Sequence, residues 1–112
     1  MISGLRVVDV HVHLQPWGMH PPAVARAMES GREDLELIRS FIDSPRAFLA
    51  FLDDNGIDRV AVINYVSPDV MGFTPEVNAW CARYCAQAPD RLIAFGSVHP
   101  RFTDDPAGET RM

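Results

Sequence analysis

Three short aliphatic runs, "LRVVDVHVHL", "IDRVAVINY" and "RLIAFGSVHP", most constrain what this chain can become. Each is short for a helix and too apolar for a loop, and each ends in polar or aromatic residues. Between them, apolar residues recur at helical spacing. Strands and helices alternating in this way build a parallel sheet with right-handed crossovers. Strands are therefore expected near residues 5–14, 57–65 and 91–99, with chemistry gathered at their carboxyl ends.

The intervening segments carry helix punctuation. Pro21 and Pro22 suit the first turn of "AVARAMESG", and Gly31 suits its end. Leu35, Ile38 and Ile42 mark a second helix within residues 33–42. In "DSPRAFLAFLDDNGI", Ser44 is the expected cap, Pro45 the first helical residue, and Phe48, Phe51 and Leu52 the buried stripe, with Gly56 closing the helix. Thr74-Pro75 repeats that start ahead of Val77, Trp80, Cys81, Tyr84, Cys85 and Ala88. Trp80 and Tyr84 read as residues packing onto the sheet. Cys81 and Cys85 are the only cysteines, four apart on one helical face, a pattern of buried packing rather than a metal cluster. "RFTDDPAGE" reads as a loop entering another helix.

Composition limits the function classes. A chain of 112 residues suffices for one domain and not for two. Its 10 Lys and Arg against 15 Asp and Glu give a net charge of -5, which argues against a nucleic-acid or anionic-membrane partner. No apolar run approaches the roughly 18–20 residues of a membrane span, and "MISGLRVVDV" lacks the pattern of a secretory leader. The expectation is a cytoplasmic protein.

In the first strand, Val8, Val10, Val12 and Leu14 share one parity, and Val7, Asp9, His11 and His13 the other. Such a strand reads as covered on both sides, with polar groups only at its tip. Residues two apart on a strand face the same way, their Cα atoms roughly 6–7 Å apart. Two imidazoles so placed can converge on one cation at Zn–N distances of about 2.0–2.1 Å. Two half-buried histidines that only hydrogen-bond to neighbours would be the plainer alternative. It suits a single histidine better than a pair ahead of a Gly/Pro loop.

His-x-His occurs in several metal sites, so its surroundings must discriminate. A metallo-β-lactamase site needs Asp-His directly after the pair, where Gln15 and Pro16 stand. A cupin needs a glutamate a few residues on, where Trp17 and Gly18 stand. Asp9-x-His11 also opens binuclear phosphoesterases, but their Gly-Asp and Gly-Asn-His segments are absent.

"VDVHVHL" resembles the first-strand Asp-x-His-x-His motif of the amidohydrolase superfamily. "LDDNGIDRVAVI" resembles the approach to the second strand, and "APDRLIAFGSVHP" is similar to the third strand of its amidohydrolase-related group. That group includes aminocarboxymuconate-semialdehyde decarboxylase and relatives that hydrolyse or decarboxylate small carboxylates. The resemblance spans Val8 to about Glu109. It implies a TIM (β/α)8 barrel binding a divalent metal, usually zinc, with His11 and His13 as the two first-strand ligands. In such enzymes a metal-activated water attacks a carbonyl or ring carbon, an aspartate of the last strand takes its proton, and later histidines complete coordination.

A full barrel takes about 250 residues. The expectation is therefore that residues 1–112 are a partial amidohydrolase-related domain, an α/β N-terminal part of about three βα units, by truncation, frameshift or a split gene. Two histidines make half a coordination sphere and leave no general base, so no catalytic residue is assigned and the chain alone is expected to be inactive. Trp17 and His20 on the first loop and His99 at the end of the third strand are candidates for contact with a small-molecule substrate. Asp9 could orient a ligand histidine or bond to a neighbouring strand's backbone. Of Asn64 and Tyr65, one must point away from the pore. Exposed apolar residues and sheet edges would favour self-association or a complementary chain. Two other readings stay open: a phosphoesterase barrel of the polymerase-and-histidinol-phosphatase or TatD nuclease type, and a non-catalytic remnant or subunit completed by another chain.

Overall fold

The computed structural model describes residues 2–102 and 105–111. The aliphatic runs form β1 (Val8–Val12), β2 (Arg59–Ile63) and β3 (Leu92–Phe95). These three pair in parallel in the order β1-β2-β3. The β2–β3 register is regular from Val60 opposite Leu92 to Ile63 opposite Phe95. The β1–β2 register slips between Asp9 and Val12. The sheet is open, with β1 and β3 as its edges; among the described residues it does not close into a barrel.

Among the described residues, five helices connect and flank the strands: α1 (Pro22–Glu29), α2 (Leu35–Asp43), α3 (Pro45–Asp54), α4 (Glu76–Cys85) and α5 (Pro106–Arg111). Pro22 occupies the first turn of α1, where a missing N–H costs nothing. Ser44 caps α3, its hydroxyl accepting the Ala47 N–H at 3.2 Å. The second Ser/Thr-Pro start differs: α4 begins at Glu76 with Pro75 as its cap residue. Thr74 instead accepts the Glu76 N–H on its hydroxyl and the Val77 N–H on its carbonyl. Gly31 and Gly56 end their helices with positive φ, as expected.

One face of the sheet is covered. Val60, Val62 and Leu92 pack with Phe41, Phe48, Leu52, Cys81, Tyr84, Cys85 and Ala88 in a single core, and Val12 and Trp80 lie at its margin. Phe41 meets both Phe48 and Phe51, joining α2 to α3, although Phe51 itself is exposed rather than part of the buried stripe. The Tyr84 hydroxyl donates to the Phe41 carbonyl and ties α4 to the same pair. Burial raises the Tyr84 phenol above its ordinary range, as expected of a hydroxyl kept neutral in a core. Cys81 and Cys85 are free and buried here, as packing residues.

β1 departs from its expected setting. It is not covered on both sides: Val8 is 48% and Val10 65% exposed, because β1 is an edge and only its tip meets the core. Ile93 and Phe95 are also exposed at the other edge. Among the described residues, no helix is long and apolar enough to cross a membrane.

Candidate metal centre

At the carboxyl ends of the strands, loops rather than helices set the geometry. The loop after β2 folds back through a Ser67–Phe73 bridge and buries Val66, Phe73 and Val77 in a second small cluster. Gly72 lets it lie against the first loop: its φ is +78°, and a Cβ there would sit 2.4 Å from the Met19 carbonyl oxygen. Asn64 donates to the Leu14 carbonyl at 3.1 Å, fastening the tip of β2 to the tip of β1. Asn78 and Ser97 exchange two hydrogen bonds, of 2.8 and 3.0 Å, and the Ser97 hydroxyl accepts the Val66 N–H. The rim is thus pinned by side-chain amides where strand pairing ends.

His11 and His13 project from this rim with their Nε2 atoms 3.0 Å apart. The His13 Nδ1 lies 2.9 Å from the Ile63 carbonyl oxygen. A carbonyl only accepts, so His13 carries a proton on Nδ1, and in the neutral ring its Nε2 then presents a lone pair. A backbone carbonyl in this role is a usual way to fix the tautomer and direction of a metal-binding imidazole. Without a cation, His11 satisfies that lone pair by donating its Nε2–H. A cation between the rings would require the His11 proton to move to Nδ1. For metal–nitrogen distances of about 2.0–2.1 Å, the observed separation corresponds to an angle of about 90–97° at the ion. The pair is exposed and needs no opening motion to admit an ion. These two residues therefore fit a divalent metal as one edge of its coordination sphere.

Tyr65 stands edge-on to His13 at 5.9 Å and to Phe73 at 5.6 Å. Between the two tip residues of β2, Tyr65 is thus the one beside the histidines, while Asn64 is buried and structural. Asp9 neither orients a histidine ring nor bridges to β2: its carboxylate accepts the His11 backbone N–H at 3.0 Å, at the register slip.

No family model, curated protein or solved structure matches this chain. The chemistry of the rim must be read from its own atoms.

The three other candidates go different ways. His20 packs between Trp17 and Phe73, at 6.0 and 5.1 Å, with its Nε2 buried and without a partner in the structure. Burial lowers its pKa from the ordinary 6.5, partly offset by the charge of Glu29. Trp17 begins a 3-10 turn (Trp17–Met19) and carries the Arg32 guanidinium over its ring at 5.5 Å. His99 accepts the Arg101 N–H on Nδ1 at 3.3 Å, at the start of a second 3-10 turn. Among the described residues, no three His, Cys, Asp or Glu side chains gather closely enough to hold a metal together.

Sequence reasoning did not single out Gln15. It is buried on the first loop, and its Nε2 has no acceptor in the structure. Leaving such a donor unpaired in a core costs about 1–3 kcal/mol. Its only sequence signal is an amide directly after an aliphatic strand.

Proposed function

We propose that this chain carries the first-strand sector of a divalent-metal site, zinc by preference, in an enzyme of the amidohydrolase-related kind. In this reading its three βα units are the opening part of a TIM (β/α)8 barrel acting on a small carboxylate or cyclic substrate by hydrolysis or decarboxylation. The single observation that carries the proposal is the His11–His13 pair, with Nε2 atoms 3.0 Å apart and His13 oriented by the Ile63 carbonyl. The parallel βαβ order, with both histidines on the carboxyl-end rim, supports the same reading.

The chain's own residues divide the work. His11 and His13 would hold the ion, the Ile63 carbonyl would keep His13 in the binding tautomer, and Tyr65 would wall the open side. A bound divalent ion would supply Lewis-acid activation of water and of a substrate carbonyl. Further ligands and a general base have to come from outside the described residues, since two imidazoles provide neither. In this reading the 112-residue chain is expected to be inactive by itself.

The test is metal stoichiometry and turnover together. The chain, its His11→Ala variant and its His13→Ala variant are loaded with zinc, washed, analysed for metal, and assayed on small carboxylate amides and esters. Weak zinc retention that disappears in both variants, with no turnover, is expected. Equal zinc in all three would remove the metal reading. Metal-dependent turnover abolished by His11→Ala would instead overturn the need for further ligands.

A further inference from the structure

His11 and His13 offer two nitrogens, whereas a zinc ion held wholly by protein almost always takes four ligands. Among the described residues, no third His, Cys, Asp or Glu joins them. The rest of the coordination sphere must therefore come from water or from another chain. Both rings are exposed, and they stand at the end of β1, an edge of the sheet. A second molecule can reach them there without displacing a strand.

The same strand carries apolar surface that its own fold leaves uncovered. Val8 and Val10 are exposed on β1, as are Ile2 and Leu5 just before it. A compact monomer of 12.5 kDa exposes about 6,200 Å², but this chain exposes 7121 Å². The surplus of about 900 Å² is close to the roughly 800 Å² that each partner gives to a standard interface. An edge strand with apolar side chains is also a ready template for another chain.

Twofold symmetry, the commonest among protein assemblies, turns two such histidine pairs into four imidazoles around one ion. Each pair then spans one edge of a tetrahedron. From their 3.0 Å separation, the Nε2 atoms need part only to about 3.3–3.4 Å to give a tetrahedral angle at zinc. The Ile63 carbonyl would hold His13 in the binding tautomer in both copies.

We infer that zinc joins two copies of this chain through His11 and His13 of each, with the exposed valines of the two β1 edges meeting beside the twofold axis. The inference rests on the metal reading of the same two histidines, and adds what completes the coordination sphere. Four imidazoles leave no position for water, so the joined ion is structural rather than catalytic.

The test follows the full chain by sedimentation velocity during zinc and cobalt(II) titrations. In EDTA the chain should sediment as a 12.5 kDa monomer. Zinc should convert it to a dimer, with the endpoint at one ion per two chains. Dimer and bound zinc should rise together with chain concentration, because two chains share each ion. Cobalt(II) should reach the same endpoint with the strong visible bands of a tetrahedral ion. His11→Ala and His13→Ala should each abolish the zinc-driven dimer, and both rings are exposed, so both variants should fold. Val10→Lys keeps the ligands but sets like charges near the axis, and should weaken the dimer by about ten-fold. A monomer holding one ion per chain would overturn the inference and leave the metal reading standing. A dimer that persists in EDTA, assembly beyond the dimer, or a Val10→Lys dimer as tight as the parent would overturn it equally. Absence of zinc binding at every chain concentration would instead remove the metal reading, and this inference with it.

Discussion

β1 and β2 are built from nearly the same material, "VDVHV" and "RVAVI", yet their burial is opposite. Val60 and Val62 are fully buried, while Val8 and Val10 face solvent. The difference comes from neighbours: β2 pairs on both sides under the helix layer, and β1 pairs on one. An aliphatic run therefore specifies a strand and its preference for cover, but not whether cover arrives. The exposed strand is also the one that bears the histidines, so the ion proposed for them would need no opening of the sheet to reach them.

The sharpest break of that comparison is to truncate both strands alike. Val62→Ala should lower unfolding free energy by about 2–3 kcal/mol, and Val10→Ala by less than about 0.5 kcal/mol. Urea melts of both variants check this, and similar losses would show that β1 is covered in solution. A smaller effect probes the layer over β2. Tyr84→Phe leaves the Phe41 carbonyl without its donor and should cost about 1–2 kcal/mol by the same measurement.

The smallest effect separates the two ends of the sheet by pH. At the amino end, the Val7 N–H donates to Asp58 at 2.8 Å and holds its carboxyl below the ordinary 3.8. That contribution is present above the unfolded value and fades as pH falls through the lower folded value. At the rim, burial lowers the pKa of His20 below 6.5, so the unfolded chain takes up its proton first. The stability tied to neutral His20 should therefore decline as pH drops below about 6.5, well before that of Asp58. A melting series from pH 7.5 to 3 should show two small steps, and His20→Phe should erase only the upper one.

How much of this was legible in the sequence differs between elements. The Ser44 cap and the prolines of α1 and α3 could be placed because local chemistry decides them. Thr74-Pro75 looked the same but starts its helix one residue later, with no side-chain cap on the helix itself. The histidine pair was legible because a period of two is intrinsic to a strand. Its orientation was not, since the Ile63 carbonyl comes 50 residues later and meets His13 only through the β1–β2 pairing. Gln15 was equally hidden: an amide beside a strand says nothing of its burial until the fold closes over it.

The central claim is that His13 points an unprotonated Nε2 at the same place as His11, ready for a divalent ion. Long-range nitrogen–proton NMR of the imidazoles in the full chain, without and then with zinc, reads this directly. The account predicts His13 in the Nδ1–H tautomer before zinc is added, with the Nε2 resonances of both His11 and His13 shifting on titration while His99 stays fixed. A His13 found in the Nε2–H tautomer, with zinc leaving both rings unmoved, would contradict it.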